Sequence, residues 1–307
     1  MKLGVVLPIG EQEETGEPFP YATVRDLALR AEAAGFDSLW LPDHFLFRFP
    51  GQAAFGVWEC WSILTALAEA TERVELGTLV LAMPFRNPAL LSKMAVTLDE
   101  ISGGRLILGL GAGWHQPEFE ALGVPFERLA GQFEEGLQII APLLRAGRVD
   151  FRGEHFSALD CELRPRGPRP GGPPLLIASR GPRMTRLTAR YADQWNAAWF
   201  ARPESFLPRH AEFLEACGQA GRDPSTIAVT VGLYVLYPEH LSPADRETLP
   251  ASLSHPDRAL RGTVEEVAAG IRAMADLDII DHLILSPVPN TPATHAELLD
   301  VLRAFRG

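Results

Sequence analysis

Strand-like and helix-like stretches alternate along the whole chain, and this alternation restricts the possible folds more than any other feature. The apolar run Leu3–Pro8 reads as a first strand, and Thr23–Ala34 as a helix. In that helix Val24, Leu27, Ala28 and Ala31 fall on one face, and Gly35 stops it. Strand then helix repeats as Ser38–Leu41 with Trp58–Ala70, and Val74–Leu81 with Asn87–Ile101, where Pro88 takes the first helical position. Leu106–Leu110 precedes a helix over about Leu129–Arg145, and Leu175–Ala178 precedes Pro182–Tyr191. Trp195–Ala198 precedes Pro203–Cys217. Ile227–Leu236 precedes a helix opened by the capping box Thr263/Glu266, and Ile279–Leu285 precedes one opened by Thr291–Pro292.

Strict alternation demands a parallel sheet with helical crossovers. Eight units in 307 residues fit a closed (β/α)8 barrel, the TIM-barrel architecture, better than an open sheet. The expectation is one domain over 1–307 with two excursions. Gly147–Pro174 is rich in Pro and Arg and reads as a surface loop or small hairpin, and Pro238–Arg261 is the second.

Composition removes several functions. The net charge is −11 and no basic tail is present, so nucleic acid and anionic membranes are poor partners. No run approaches the roughly 20 apolar residues of a membrane helix. Cys60, Cys161 and Cys217 form no CxxC and suit no closed disulfide framework, which points to a cytoplasmic protein. Of 28 cationic residues only Lys2 and Lys93 are lysines. Neither is placed for Schiff-base chemistry, which disfavours an aldolase.

Barrel active sites lie where strands end, so the residues after each strand carry the candidates. Asp43–His44 follows strand 2 and is the best acid/base pair, against the alternative of a capping Asp and a packed His. Gly109-Leu-Gly-Ala-Gly113 fails the dinucleotide fingerprint because Trp114 stands where a glycine is required. Its glycines either let a flat ligand approach or let strands pack tightly. Ser179–Arg180–Gly181, with Arg183 nearby, makes an anion cradle or an ordinary helix start. His115 and Glu118 are too few for a metal site and are expected on a solvated helix face.

The chain resembles the bacterial luciferase-like flavin and deazaflavin oxidoreductases. The resemblance rests on LGVVLP, on AEAAGFDSLWLPDHF, on the long block from ELGTLVLAMPFRNP to GAGWHQPEFEALG, on LLIASRGPRMTRLTARYADQWN and on GTVEEVAAGIRAMADLDIIDHLIL. It implies a (β/α)8 barrel that binds coenzyme F420 or FMN across its mouth, with F420 favoured. It assigns the proton-moving role to His44 and ring contacts to Asp43 and His44. It places a non-proline cis peptide behind the ring at Leu79–Val80, with Ala82 further along that wall. It matches Ala112, Gly113 and Trp114 to the strand-4 cofactor loop. Ser179, Arg180, Gly181 and, two residues on, Arg183 match the phosphate turn. The implied reaction is hydride transfer to or from a small, apolar or conjugated organic substrate stacked beneath Trp114, Phe45, Phe85 and Trp199. The alternatives are an FMN-dependent monooxygenase and a non-catalytic flavin-binding barrel. Sugar-phosphate dehydrogenases of the family carry an acid where this chain has Trp114, which argues against sugar-phosphate oxidation. Family members are often homodimers, so a homodimer is expected.

Overall fold

The computed structural model describes residues 1–12, 15–51, 53–250, 253 and 255–307. Parallel pairing begins with β1 (Lys2–Val6) on β2 (Ser38–Leu41), then β3 (Glu75–Thr78) and β4 (Leu106–Gly111). It continues through β5 (Leu175–Ala178), β6 (Gln194–Ala198), β7 (Ala228–Leu236) and β8 (His282–Val288). β8 returns to β1 with Lys2 opposite His282, which closes the ring. The helices α1 (Tyr21–Ala34), α2 (Cys60–Ala70), α3 (Pro88–Ile101) and α4 (Leu129–Ala146) follow the first four strands. α5 (Gly181–Tyr191), α6 (Pro203–Ala220), α7 (Val264–Ala275) and α8 (Pro292–Arg306) complete the outer layer. The eightfold barrel read from the sequence is thus the observed fold.

Local chemistry sets the helix ends. Asn87 caps α3 by accepting from the Ala89 and Leu90 amides, with Pro88 next in line. Thr263 and Glu266 form the reciprocal capping box of α7. α1 ends on Gly35 at φ 101°, a conformation that costs a side-chain residue dearly.

Successive strand residues face opposite sides, and two apolar layers result. Leu3, Val5, Leu39, Leu41, Leu106 and Leu108 face the helices. Val6, Trp40, Ile107, Leu176 and Ile284 form a separate cluster inside the ring. Trp40 is fully buried there, and removing roughly 200 Å² of indole from water contributes at most about 5 kcal/mol. The ring fits because its neighbours lack side chains. A Cβ on Gly77 would stand 2.2 Å from the Trp40 ring, and one on Gly4 2.5 Å from its Nε1. Gly77→Ala is therefore expected to cost about 1–3 kcal/mol through overpacking, read as a lower urea midpoint at unchanged m-value. An unaltered midpoint would show that the indole is free to shift.

The inner layer also holds a polar chain. Trp40 Nε1 donates to Ser38 Oγ at 2.6 Å, and Ser38 Oγ meets His282 Nε2 at 2.8 Å. Burial holds the His282 imidazole neutral, with its pKa pushed down to about 3. His295, bonded to Asn290 Oδ1 at 2.8 Å, is pushed down to about 4 by burial. Unfolded histidine titrates near about 6.5. Below that pH the unfolded chain gains protons that the folded chain refuses, so stability falls as pH drops. Each histidine should contribute a slope approaching about 1.4 kcal/mol per pH unit between pH 6 and 5. Denaturation midpoints across that range check this, and a flat profile would contradict it.

The limits of the third and last strands depart from the sequence reading, while the cis peptide at Leu79–Val80 and a hairpin in the first excursion agree with it. The third strand stops at Thr78, a cis peptide joins Leu79 to Val80, and pairing resumes at Leu81–Ala82. The last strand starts at His282 rather than Ile279. Asp278 turns the chain with φ 52°, Ile280 packs before the strand begins, and Asp281 accepts from the Val229 amide at 2.7 Å. The first excursion contains an antiparallel hairpin, Arg148–Arg152 with Ser157–Glu162. Glu135 of α4 holds its turn by accepting from the Glu154, His155 and Phe156 amides at 2.8–2.9 Å. The second excursion holds a short helix, Pro243–Thr248, and Ala259–Leu260, which pairs beside β7. Residues 251, 252 and 254 of that excursion lie outside the described residues. Among the described residues no helix is long and apolar enough to cross a membrane.

Candidate active site

The C-terminal end of β2 delivers Asp43 and His44 to the barrel mouth, and the structure gives the two residues different tasks. Asp43 is 3% exposed. Its carboxylate accepts from both terminal nitrogens of Arg86, at 2.7 and 2.9 Å, and from the Ala82 amide at 3.0 Å. Arg86 also donates to Glu59 at 2.7 Å, and Glu59 caps α2. Asp43 therefore locks the end of β2 to the wall after β3.

The carboxylate that serves His44 is Glu118. His44 Nδ1 lies 3.0 Å from Glu118 Oε2, with the histidine side chain 17% exposed and the glutamate 1%. Glu118 also accepts from the Phe45 amide and, at 3.2 Å, from the Leu46 amide. Burial pushes the Glu118 carboxyl up, but the bonds from His44, Phe45 and Leu46 outweigh it and hold the group below the ordinary carboxylate range. An ionised carboxylate only accepts, so Nδ1 of His44 carries a proton and Nε2 is the atom left to exchange one.

This overturns the solvated-face reading of His115 and Glu118. Both are buried, on the short helix Gln116–Leu122 and its cap. His115 Nε2 accepts from the Arg48 amide at 3.0 Å, and burial lowers its pKa against the opposing pull of Glu118. The sequence separation of 74 residues between His44 and Glu118 hid the pairing.

Aromatic rings surround His44. Phe47 lies 4.3 Å away between centroids, and Trp114, 59% exposed, meets it edge-on at 5.5 Å. Phe47 belongs to a small hairpin, Leu46–Phe47 with Phe55–Gly56, in the loop after β2. Phe45 and Phe85 pack on each other at 5.4 Å, and Phe85 continues onto Phe119 at 4.5 Å. So Phe47 and Trp114, rather than Phe45 and Phe85, border the histidine.

The glycines of β4 answer to protein contacts. A Cβ on Gly109 would meet the Thr78 carbonyl oxygen at 1.9 Å, and one on Gly111 would meet Val80 at 2.7 Å. Of the two readings, tight packing holds at these positions. The consequence still shapes the mouth, because close approach by β4 leaves Leu79 and Val80 partly buried above the inner apolar cluster. Gly113 has φ 85°, and Ala112 beside it is half-buried.

The turn after β5 completes the other side. Ser179 is 5% exposed, and its hydroxyl accepts from Trp195 Nε1 at 3.2 Å. Gly181 opens α5 with φ 77°. Arg209 of α6 braces the turn by donating to the Ser179 carbonyl at 3.0 Å and to Thr185 Oγ1 at 2.9 Å. Arg180 donates to the Ala198 carbonyl at 2.7 Å. Arg183 is committed elsewhere, to Glu134 of α4 at 2.7 Å, where it borders an outer cavity of about 680 Å³. Sequence reading missed Glu118 as a partner, and it missed Arg86 and Arg209 altogether.

A flat, anionic group fits these residues. Leu79 and Val80 are apolar and only partly buried where a planar ring would rest, and the start of α5 beside Arg180 offers amides and positive charge to a phosphate.

Comparison with known proteins places the chain. The luciferase-like monooxygenase family profile matches residues 1–303. An F420-dependent glucose-6-phosphate dehydrogenase of Amycolatopsis mediterranei is 33% identical over 58% of this chain and 54% of its own length. The chain thus spans about half the length of that relative. The pyrimidine monooxygenase RutA of a Bradyrhizobium strain is 28% identical across 100% of this chain and 90% of its own. Among solved structures, an F420-dependent secondary alcohol dehydrogenase superposes with TM-score 0.80 at 20% identity, covering 100% of this chain and 99% of that one. With the profile spanning nearly every residue, this chain belongs to the luciferase-like monooxygenase family of enzymes.

Proposed function

We propose that this chain is a coenzyme F420-dependent oxidoreductase that transfers hydride to or from a small, apolar or conjugated organic substrate. The observation that carries the reading is the Glu118–His44 pair at the barrel mouth, which commits Nδ1 of His44 and, among the described residues, leaves its Nε2 without a hydrogen-bond partner. Similarity to F420-dependent enzymes supports the cofactor. A bound deazaflavin supplies two-electron hydride chemistry.

The residues of the chain supply binding, orientation and the proton. Leu79 and Val80 present the apolar floor, and Ala82 is held along that wall by its bond to Asp43. The Ser179–Gly181 turn and the positive end of α5 would hold the phosphate. Trp114 and Phe47 confine the substrate over His44 and exclude water from its Nε2. His44 Nε2 gives or takes the proton that matches the hydride, while Glu118 keeps the ring oriented and offsets the imidazolium charge.

FMN-dependent monooxygenation is the second reading, supported by the full-length similarity to RutA. Activity assays separate the two. Anaerobic oxidation of secondary alcohols or reduction of conjugated carbonyls with F420 is the expected result. Turnover that needs oxygen and reduced FMN would favour the second reading, and redox inactivity with either cofactor bound would leave a binding barrel.

A further inference from the structure

Where β7 ends, three side chains able to hold a metal ion come together, and the proposed reaction uses none of them. β7 runs into Tyr237 and the short turn Pro238–His240, which carries Glu239 and His240. Glu297 arrives from α8, 57 residues beyond His240. One carboxylate oxygen of Glu239, one imidazole nitrogen of His240 and one carboxylate oxygen of Glu297 lie within 4.8 Å of one another. Among the described residues no other set of three His, Cys, Asp or Glu side chains is gathered in this way.

The backbone fixes these positions. The Tyr237 amide donates to the Val288 carbonyl at 2.8 Å, which ties the turn to β8, and the Leu241 amide closes it on the Pro238 carbonyl at 3.2 Å. Glu297 stands in α8 between Thr294 and Leu298, both fully buried. Only the side-chain ends have to move. Zn–O and Zn–N bonds of about 2.0–2.2 Å place two ligands of a tetrahedral ion roughly 3.4 Å apart, so small rotations close the set. Charge also favours a cation. His240 Nε2 is bonded to Glu297, and among the described residues no arginine or lysine pairs with Glu239 or Glu297. The two carboxylates repel each other across one imidazole, which even when protonated balances only one of them.

Tyr237 supplies a separate observation. It is 3% exposed, and its hydroxyl has no hydrogen-bond partner among the described residues. Its ring meets that of His240 edge-on at 6.1 Å. Burial raises the pKa of the phenol, and charge on Glu297 and Glu239 adds to the effect. A buried O–H left without an acceptor beside this cluster can donate to a metal-bound carboxylate or water, as the groups behind metal ligands commonly do.

We infer that Glu239, His240 and Glu297 bind a divalent transition ion of the zinc type, with water in the remaining position. The His240 and Glu297 side chains are 29% and 38% exposed, which gives the ion a path from solvent. One imidazole with two carboxylates suits Zn²⁺ better than Ca²⁺ or Mg²⁺, which take oxygen ligands. Bound there, the ion would pin the start of the second excursion to α8. The inference stands apart from the proposed reaction and its cofactor.

Calorimetric titration of the untagged, chelator-treated whole protein with Zn²⁺ near neutral pH tests this. Wild type is expected to bind one Zn²⁺ per chain, and His240→Gln and Glu297→Gln to weaken that binding at least about tenfold. His255→Gln, which removes an exposed histidine beside Asp257, should bind as wild type does. Excess Ca²⁺ should not displace the Zn²⁺. Saturating Zn²⁺ should raise the unfolding temperature of wild type and leave that of the two ligand variants unchanged. Loss of one half-exposed ion pair costs little stability, and unfolding of the metal-free variants confirms that each is folded. Absence of saturable Zn²⁺ binding would overturn the inference. So would binding that both ligand variants retain, or that His255→Gln loses as they do.

Discussion

His44→Ala is expected to lower turnover by about 10²–10⁴, the usual loss when a general acid or base is removed. Its Nε2 is the exchangeable ring nitrogen of the Glu118-bound imidazole, and the rings of Phe47 and Trp114 confine the space around it. Cofactor affinity should fall much less, because the apolar floor and the phosphate turn lie on other strands. The loss should therefore appear in kcat, with cofactor binding followed separately by absorbance. Near-wild-type turnover in a folded His44→Ala protein would remove the residue from proton transfer.

The largest stability effect is expected at Arg86. Its side chain is 10% exposed and bridges Asp43, whose side chain is 0% exposed, with Glu59. The Arg86 pKa is raised because bonds and charge from Asp43 and Glu59 outweigh burial, the largest single influence. Arg86→Met leaves the Asp43 carboxylate buried without its cation, which costs about 3–5 kcal/mol. Urea denaturation reads the loss. A drop below about 1 kcal/mol, the level of an exposed pair, would show that water replaces the guanidinium there. The result also bears on Asp43, whose role in the structure is to brace the β2 and β3 ends rather than to charge His44.

The fold was legible because its signals are local. Helix stops such as Gly35, caps such as Asn87 and Thr263, and apolar spacing all act within a few residues. Strand limits were less legible where apolar character outruns the strand. Ile279 and Ile280 pack under the helices before pairing begins, and the run Val74–Leu81 continues through the cis peptide at Leu79–Val80. The position of that cis peptide came from family resemblance, since no propensity marks Leu79 or Val80. At the site, Asp43–His44 was visible as a pair, but adjacency in sequence misled. Neighbouring residues on an extended segment point apart, and His44 finds its carboxylate on another loop. Glu118 looked solvated because three-residue spacing on a helix shows a shared face without showing what covers it.

The central claim is that the barrel mouth receives a flat deazaflavin over Leu79 and Val80. Equilibrium titration of the purified protein with F420, followed by absorbance and fluorescence, tests it most directly, with FMN titrated alongside. Saturation at one F420 per chain is the predicted result, together with clear weakening in Val80→Arg, which would drive a charged stem across the floor. Failure of F420 to saturate, or binding indifferent to Val80→Arg, would contradict the account.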